Sequence, residues 1–507
     1  MPPLGWVACI PFNADVLSLR HGRWVEVGNS WWFEGAWSGP FPDAGFPEVE
    51  GVFGTGAKMV RDSVTFVSSV GLCDSLFWSR LDDGTLVVAN SLTIILASVR
   101  QRLDPLERRY SGINTSLILG LDAYVAEIPT TAAPVFRVAH HNLTVDAGRR
   151  PLRTPKPASP SFPDFMAYRG FLGETVKAAL ENARDPSRKR PLAVLSTQSR
   201  GYDSTALNSL ASPAGVDAAF TVPTAKQVGA FAGNERGAVE SDDGSEISAV
   251  LGMPSIPIDR MHVRSAPHQE ILFRAGITEC QDLNLSGILD HIQGPSLLLT
   301  GILGQIWYTD TTLGGWDPRE TLAGWDQGGY GLGEVRIRAG FSQAPVPFLG
   351  ARRFSDILAI TESREMDPWR LGGNYDRPIP RRIAEEAGVP RELFGQKKMA
   401  TVVEGPSPET PLTAQLRQEY LAWLRALGQT KSSGGIEIRL MQSINTTSSR
   451  RHLEGYRHIY YFERVISRLL RRDWQIPRVG EHLRGALWVY SVNRLADDLT
   501  PALEAVG

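Results

Sequence analysis

A polar segment at residues 195–206 combines residue types that could bind phosphate. It joins a short apolar run to a helix-like segment, and free backbone N–H groups converge with the positive end of the helix dipole where a strand turns into a helix. The segment therefore predicts a pyrophosphate-binding loop, although a plain turn with a Ser or Asp cap is the alternative interpretation. The candidate ligands are the hydroxyls of Ser199, Ser204 and Thr205 and the carboxylate of Asp203, which could hold Mg²⁺.

Residues 199–204 resemble the phosphate loop of the asparagine-synthetase-like family. The family's loop reads Ser-Gly-Gly-x-Asp-Ser after a buried strand, and this chain has Ser-Arg-Gly-Tyr-Asp-Ser. The resemblance implies ATP and Mg²⁺ as cofactors and includes Gly201 in the binding loop. Arg200 replaces the family's first glycine. This replacement either narrows the loop or adds a cation that could grip phosphate through two hydrogen bonds.

Two downstream segments are similar to the adenosine side of the family's nucleotide site. The run 220–222 resembles its strand, and residues 240–246 resemble the acidic turn that follows. The resemblance implies that the backbone near Thr221 meets the adenine and that Asp242 or Asp243 caps the following helix. For the acidic pair, a plain N-cap with no part in binding is an equal alternative.

The segment 299–307 resembles the family's Ser-Gly-Glu-Gly-Ala-Asp-Glu segment, in which an acidic residue helps to bind magnesium and pyrophosphate. Gly301 lies in this segment and is assigned to the cofactor site by the resemblance. Gln305 stands where an aspartate is expected, and Ile306 stands where a glutamate is expected. An amide can coordinate through its carbonyl oxygen, although hard divalent ions prefer carboxylates. Gln305 is therefore the second metal candidate beside Asp203.

Later residues supply candidate catalytic groups. The triplet 362–364 resembles the family's Glu-x-Arg, in which the glutamate, here Glu362, faces the substrate. In the β-lactam-forming relatives this glutamate helps a tyrosine to deprotonate the nucleophile, and Tyr375 or Tyr308 could be that tyrosine. The basic segment that ends at Lys397 and Lys398 is similar to the family's phosphate-contacting lysine segment. A fixed positive charge there would stabilise the forming adenylate, and a solvated lysine pair is the alternative.

The N-terminal part resembles the family's glutaminase domain at residues 70–78 and 84–92. That domain needs an N-terminal cysteine, because its thiolate and the free α-amine act together. This chain begins Met1-Pro2, and Cys9 lies inside an apolar run, so we expect no glutamine hydrolysis. Lasso-peptide cyclases and β-lactam synthetases keep such a domain as a scaffold or substrate contact, and the resemblance implies the same here.

The order of apolar runs predicts an α/β fold in two parts. Short strands in residues 1–148 predict a β-rich sandwich, which the resemblance makes a degenerate glutaminase-like domain of the N-terminal nucleophile (Ntn) type. Residues 149–163 hold five prolines and predict an extended, solvated linker. Residues 164–507 are assigned to an asparagine-synthetase-like ATP-pyrophosphatase domain. There Asp164 caps a helix, continuous apolar runs predict a parallel sheet with ligands at the carboxyl ends of its strands, and a helical portion begins at 411.

The composition describes an ordinary globular protein. The chain has 507 residues, 42% hydrophobic content, 21% charged content and a formal net charge of −2, which suggests two domains and no nucleic-acid partner. We find no run of 18 apolar residues and no secretory signal, so we expect no membrane association and a cytoplasmic location. The isolated cysteines are interpreted as buried thiols: Cys9, Cys73 and Cys280.

The resemblance to the asparagine-synthetase-like family implies a ligase that uses ATP to adenylate a carboxylate, releases pyrophosphate and transfers the acyl group to an amine or ammonia. The expected substrates are small-molecule or peptide carboxylates and amines, and the expected partners are further copies of the chain or a protein that delivers substrate. A non-catalytic nucleotide-binding pseudoenzyme of the same fold is the alternative. An ATP-using enzyme that modifies RNA gains little support from the charge distribution.

Overall fold

The computed structural model describes most of the chain and has a mixed α/β fold. Two residues considered above, Cys280 and Tyr308, lie outside the described residues. The described residues are 1–12, 17–107, 109–119, 124–227, 239–278, 282–307, 329–373, 375–400, 412–429, 465–466, 468–470 and 485–504.

The N-terminal strands form two antiparallel sheets within the described residues. The strands are β1 (Trp6–Ile10), β2 (Ser18–His21), β3 (Glu26–Val27), β4 (Trp31–Trp37), β5 (Val52–Val60), β6 (Ser63–Val67), β7 (Leu76–Arg80), β8 (Leu86–Ala89), β9 (Glu127–Ile128), β10 (Val135–Val138), β11 (His141–Val145) and β12 (Pro151–Pro155). One sheet has the order β2-β1-β8-β7-β10-β9, and the other has the order β12-β11-β6-β5-β4-β3. The short strands predicted in residues 1–148 are therefore confirmed.

An aromatic core joins these two sheets. Trp6 of β1 packs edge-on against Trp32 of β4 at 5.7 Å between ring centroids, and it stacks on Phe66 of β6 at 6.0 Å. All three rings are buried. Alternate residues of a strand point to opposite faces of its sheet, so Trp6 enters this core while Val7 packs into a different apolar cluster.

The predicted linker at 149–163 contains a strand of the N-terminal sheets. β12 pairs antiparallel with β11 along its whole length, from His141 opposite Pro155 to Val145 opposite Pro151. Prolines are tolerated there because β12 is an edge strand with one unpaired side. The next residue, Lys156, is buried and donates a hydrogen bond to the carbonyl of Ser68 at 2.6 Å. Residues 151–156 are therefore part of the folded sandwich, which corrects the expectation of a solvated connector.

A parallel sheet of five strands follows the N-terminal sheets, as predicted. The remaining strands are β13 (Ala193–Thr197), β14 (Ala218–Thr221), β15 (Thr224–Gln227), β16 (Val239–Ser241), β17 (Ser255–Pro257), β18 (Ser296–Thr300), β19 (Phe341–Pro345) and β20 (Met399–Ala400). The parallel sheet has the order β17-β14-β13-β18-β19. All five residues of β18 are buried, which explains its continuous apolar run. A small antiparallel sheet has the order β16-β15-β20.

The helices cover these sheets and connect their strands. They are α1 (Leu92–Ser98), α2 (Tyr110–Thr115), α3 (Phe165–Ala183), α4 (Tyr202–Ala211), α5 (Ser245–Val250), α6 (Glu270–Arg274), α7 (Gly333–Ala339), α8 (Phe354–Glu362), α9 (Pro378–Glu386), α10 (Ala414–Gln429) and α11 (Ala486–Glu504). Asp164 caps α3 as predicted, because its side chain accepts the N–H of Ala167 at 2.8 Å. In the part of the chain that the structure describes, no helix is both long and apolar enough to cross a bilayer.

The last helix, α11, packs against the first helix, α1. Trp488 and Val492 of α11 share an apolar cluster with Leu92 and Ile95 of α1. Asn493 adds two hydrogen bonds of 2.9 Å to the backbone N–H and carbonyl of Leu103. The C-terminal helix thus belongs to the core of the N-terminal region.

Candidate functional site

The strand order of the parallel sheet reverses direction at β13. The chain runs outward from β13 through β14 to β17 and then returns to the other side of β13 to form β18. The loops that follow β13 and β18 therefore leave neighbouring strands in opposite directions. Such a switch point at the carboxyl edge is where open α/β sheets bind ligands. The predicted phosphate loop, residues 199–204, follows β13 at this edge, and the predicted segment 299–307 contains the end of β18 and the loop after it.

Hydrogen bonds between two serines close the loop that follows β13. The hydroxyl of Ser204 accepts the N–H of Ser199 at 3.1 Å and lies 3.0 Å from the hydroxyl of Ser199. The Ser199 hydroxyl also accepts the N–H of Gly201 at 3.1 Å. Helix α4 begins directly after Gly201, and the first N–H groups of a helix have no partner within the helix. The loop thus presents a fixed helix N-terminus, which attracts anions.

A buried polar network supports this loop from below. We expected Thr205 to donate to phosphate, but its hydroxyl donates to the carbonyl of Gly201 at 2.7 Å and accepts from Gln198. Gln198 in turn accepts from Asn208 at 2.7 Å, and Asn208 accepts from Ser196 at 2.5 Å. The role of Thr205 is therefore to hold the loop, because its hydroxyl proton is already committed within the fold.

The loop after β18 is in close contact with the first turn of α4. A Cβ atom at Gly301 would lie 2.7 Å from the backbone nitrogen of Ser204, and one at Gly304 would lie 2.3 Å from Cγ of Asp203. Leu303, between these glycines, has a φ of 62°, a left-handed conformation that a leucine rarely adopts. The close approach explains the two glycines, and it brings the segments that contain Asp203 and Gly301 to one place.

Asp203 forms an ion pair with Arg377, a residue that the sequence did not single out. One guanidinium nitrogen, Nη1, lies 2.6 Å from each carboxylate oxygen of Asp203. Only 3% of the Arg377 side chain and 19% of the Asp203 side chain are exposed. Arg377 immediately precedes α9, so the ion pair ties the start of α9 to the start of α4.

These contacts decide whether Asp203 and Gln305 fit a magnesium ion. Mg²⁺ prefers oxygen ligands with negative charge, but both oxygens of Asp203 are engaged by an arginine. Nε2 of Gln305 is buried and has no hydrogen-bond acceptor among the described residues. Among the described residues, no group of three or more His, Cys, Asp or Glu side chains could hold a metal ion. The residues do not fit a Mg²⁺ ion held by the protein at Asp203.

Arg200 is held on both sides of the loop. Its Nε donates to the carbonyl of Leu393 at 2.9 Å, and its backbone carbonyl accepts from Gly395 at 2.8 Å. Its backbone N–H donates to Oδ1 of Asp242 at 3.0 Å. The side chain therefore anchors the segment before Lys397 to the phosphate loop. A contact of this guanidinium with phosphate stays a prediction.

Asp242 binds the phosphate loop rather than the helix that follows it. In the acidic turn, Asp243 accepts the N–H of Ser245 at 2.9 Å at the start of α5, whereas Asp242 accepts from Arg200. Burial raises the pKa of Asp242 to about 6, although the hydrogen bond from Arg200 and the charge of Lys398 lower it in part. The Asp242 carboxylate therefore interacts with the charge of Lys398 and, through its hydrogen bond, with the backbone of the phosphate loop.

Aromatic rings next to the loop hold two predicted catalytic residues. Tyr375 packs edge-on against Tyr202, the first residue of α4, with 5.0 Å between ring centroids. Nζ of Lys398 lies 5.9 Å from the Tyr375 ring centroid. Arg381, which is fully buried, donates to the hydroxyl of Tyr202 at 2.6 Å. The structure thus brings Tyr375 and Lys398 to the phosphate loop, and Arg381 of α9 holds the Tyr202 ring on which Tyr375 packs.

Two other predicted catalytic residues have partners elsewhere. Lys397 is half-exposed and forms an ion pair with Glu240 at 3.0 Å, between β20 and β16 of the small sheet. Glu362 is the last residue of α8, is two-fifths exposed and lies 4.0 Å from Arg370. Of the two neighbouring lysines, Lys398 is therefore the one beside the phosphate loop.

Thr221, the predicted adenine contact, is fully buried at the end of β14. Its carbonyl accepts the N–H of Ile258 at 2.8 Å, and its hydroxyl accepts the N–H of Gly244 at 2.9 Å. These groups are used to hold the acidic turn and the end of β17. An adenine contact near this strand end stays a prediction.

Cys9 is not located like a catalytic nucleophile. It lies in the middle of β1, opposite Ser18 of β2 and Val87 of β8. Burial raises the pKa of its thiol, which reduces the thiolate fraction that nucleophilic attack needs.

Family models and curated proteins were compared with this chain, and neither gives a match. The chemistry of the carboxyl edge of the sheet beside β13 is therefore inferred from its geometry alone. A helix N-terminus, Lys398 and Arg200 supply positive charge at the switch point of a parallel sheet. An arrangement of this kind binds phosphate groups.

Three residues of the site could not be singled out from the sequence. Arg377 and Arg381 lie in a basic segment that resembled the family's late segment, and no local spacing distinguishes them from solvated arginines. Asp242 was considered only as a helix cap. The signal that could have indicated them is the density of arginines just before and within the short α9, because buried arginines need acidic or aromatic partners.

Proposed function

We propose that this protein is an ATP-dependent ligase that forms amide bonds. It adenylates a carboxylate, releases pyrophosphate and transfers the acyl group to an amine or to ammonia. The observation that carries the proposal is the position of the phosphate loop, which continues into the N-terminus of α4 at the switch point of the sheet. The charges of Lys398 and Arg200 act on Asp242 at the same loop.

Each group at the loop has a defined task in this reaction. The first-turn N–H groups of α4 bind the pyrophosphate part of ATP, and Lys398 provides fixed positive charge as the adenylate forms. The substrate carboxylate attacks the α-phosphorus, and pyrophosphate leaves with the electrons of the broken P–O bond. The amine then attacks the acyl carbon and loses a proton, for which Tyr375 beside Lys398 is the candidate acceptor, and AMP leaves.

The N-terminal sandwich serves, in this proposal, as a degenerate glutaminase-like domain of the Ntn type. Two antiparallel sheets that share an aromatic core support this assignment. Cys9 lies inside a strand and has a raised pKa, so the sandwich acts as a scaffold or substrate contact. The nitrogen then comes from an amine substrate, which is a small molecule or a peptide, or from free ammonia.

One observation favours a second function, a nucleotide-binding pseudoenzyme of the same fold. The ion pair between Asp203 and Arg377 occupies the carboxylate that the family resemblance assigns to a metal ion. In this alternative the loop binds a nucleotide, but turnover is lost. The two functions differ in whether substrate leads to the release of pyrophosphate.

The test is a measurement of pyrophosphate released from ATP when the full-length protein is offered a panel of carboxylates and amines, with Mg²⁺ present. The Asp203→Ala variant is the blank, because it removes the carboxylate that holds Arg377. Release that depends on both substrates, and is absent in the variant, supports the ligase. ATP binding in calorimetry without pyrophosphate release from any pair of substrates supports the pseudoenzyme instead, and absence of ATP binding contradicts both.

A further inference from the structure

The negative charge of the Asp203 carboxylate is already balanced by Arg377 inside the protein. Nη1 of Arg377 lies 2.6 Å from both of its oxygens, and both side chains are largely buried. A charge-assisted contact of this length is among the stronger hydrogen bonds in proteins. A divalent ion that bound Asp203 would have to displace this guanidinium and leave a buried, uncompensated positive charge.

The structure around the ion pair keeps Arg377 in place. Arg377 stands at the N-terminus of α9, and one turn later Arg381 of that helix bonds to the hydroxyl of Tyr202 and lies 4.9 Å from its ring centroid. Tyr202 is the residue before Asp203, so two neighbouring arginine contacts fix α9 to the first turn of α4. Movement of Arg377 away from Asp203 would therefore disturb both contacts.

Gly304 closes the other side of the carboxylate. A Cβ atom at Gly304 would lie 2.3 to 2.6 Å from the three carboxyl atoms of Asp203. The following residue, Gln305, has a buried Nε2 with no hydrogen-bond acceptor in the part of the chain that the structure describes. The Asp203 carboxylate is therefore flanked by one cation and one close backbone approach. Both of its oxygens already accept from Arg377, so a second cation would have to replace that contact.

We propose that Arg377 takes the place of a protein-bound metal ion at Asp203, so that the phosphate loop binds pyrophosphate groups without a metal held by the protein. The inference rests on the proposed function, because it concerns the same phosphate loop. Asp203 is then a positioning residue that holds Arg377, and the guanidinium occupies the place beside the carboxylate that a metal ion would otherwise take. Its charge cancels the negative charge of Asp203, which would otherwise repel pyrophosphate.

The experiment is calorimetric titration of the full-length protein with inorganic pyrophosphate, once in EDTA and once with Mg²⁺. The wild-type protein is expected to bind in EDTA. Asp203→Asn keeps the shape but frees the charge of Arg377, and we expect binding in EDTA to become tighter by roughly tenfold or more, since the anion replaces the lost counter-charge. The matched control is Asp497→Asn, which removes one partner of a surface pair with Arg102 and should leave binding unchanged.

A second variant keeps the test decisive if Asp203→Asn fails to fold, which circular dichroism would reveal. Arg377→Gln leaves Asp203 negative, so we expect binding in EDTA to be lost and to return with Mg²⁺. Wild-type binding that requires Mg²⁺ and disappears in Asp203→Asn would overturn this inference while the proposed function stands. Absence of pyrophosphate binding in both conditions would overturn the proposed function and this inference together.

Discussion

Gly304 and Asp203 are in such close contact that the carboxylate of Asp203 fills the space where a side chain at 304 would begin. A Cβ atom there would lie 2.3 Å from Cγ of Asp203, closer than non-bonded atoms approach. The contact joins the loop after β18 to the first turn of α4, so the geometry of the phosphate loop depends on a residue about a hundred positions away in the chain.

Gly304→Ala is expected to separate Asp203 from Arg377 and to abolish pyrophosphate release. The added methyl group must push away a carboxylate that is held by a buried arginine, and overpacking of this kind costs about 1–3 kcal/mol. The measurement is pyrophosphate release together with the thermal unfolding midpoint. Gly173→Ala is the control, because Gly173 lies within α3 with nothing within 4 Å of its Cβ position, and alanine there favours the helix by about 1 kcal/mol. Equal activity in both variants would contradict the role of this contact.

Asp242→Asn is expected to stabilise the protein above pH 6. Burial raises the pKa of Asp242 from 3.8 to about 6, so the folded state keeps its proton to a higher pH than the unfolded state does. Stability therefore falls as the pH rises from about 4 to about 6, by up to about 3 kcal/mol. Asparagine retains an acceptor for the N–H of Arg200 but does not titrate. The difference in unfolding midpoint between variant and wild type should be small at pH 4 and positive at pH 7.5; a difference that does not change with pH would contradict the assignment.

Lys156→Met is expected to weaken the increase of stability between about pH 7 and pH 10.5. Burial lowers the pKa of Lys156 from 10.5 to about 7, so between these values the unfolded state binds a proton that the folded state does not. The lowered pKa of Lys156 therefore reduces the free energy of unfolding. This reduction has its full size below about pH 7 and disappears as the pH rises toward 10.5. Wild-type unfolding midpoints should therefore rise from pH 7 to pH 9.5, and those of the variant should rise less. Parallel profiles for the two proteins would show that Lys156 is not the titrating group.

Cys9→Ala is expected to leave pyrophosphate release intact. Cys9 lies within β1, and burial raises the pKa of its thiol, so the proposed reaction makes no use of it. The measurement is pyrophosphate release with the substrates that support wild-type activity. Loss of this activity in a variant whose unfolding midpoint is unchanged would mean that the N-terminal domain contributes a nucleophile.

Local sequence patterns were sufficient for the elements that carry the phosphate loop. Residues 194–196 of β13 and all of β18 are buried, as expected for strands inside a parallel sheet that is covered on both faces. Asp164 forms the N-cap that its sequence context predicts. The loop after β13 lies at the sheet edge where a parallel arrangement must place it. These predictions succeeded because each depends on neighbours within a few residues.

The contacts that determine the charge of the site could not be predicted in this way. Asp203 and Arg377 are 174 residues apart, and only the packing of α9 on α4 brings them together. β12 was missed because prolines indicated a linker, whereas an edge strand accepts prolines on its unpaired side. Thr205 was assigned to phosphate because its residue type allows donation; the carbonyl of Gly201, one helical turn earlier, competes for the same proton.

The packing of α11 on α1 has a consequence for how the chain folds during synthesis. The apolar face of α1 meets Trp488 and Val492, which the ribosome adds almost 400 residues later, or roughly 20 to 80 s at ordinary elongation rates. During this interval the apolar face of α1 lacks the α11 side chains that cover it in the folded protein. Completion of the fold is therefore a late event, set by the arrival of the C-terminal helix.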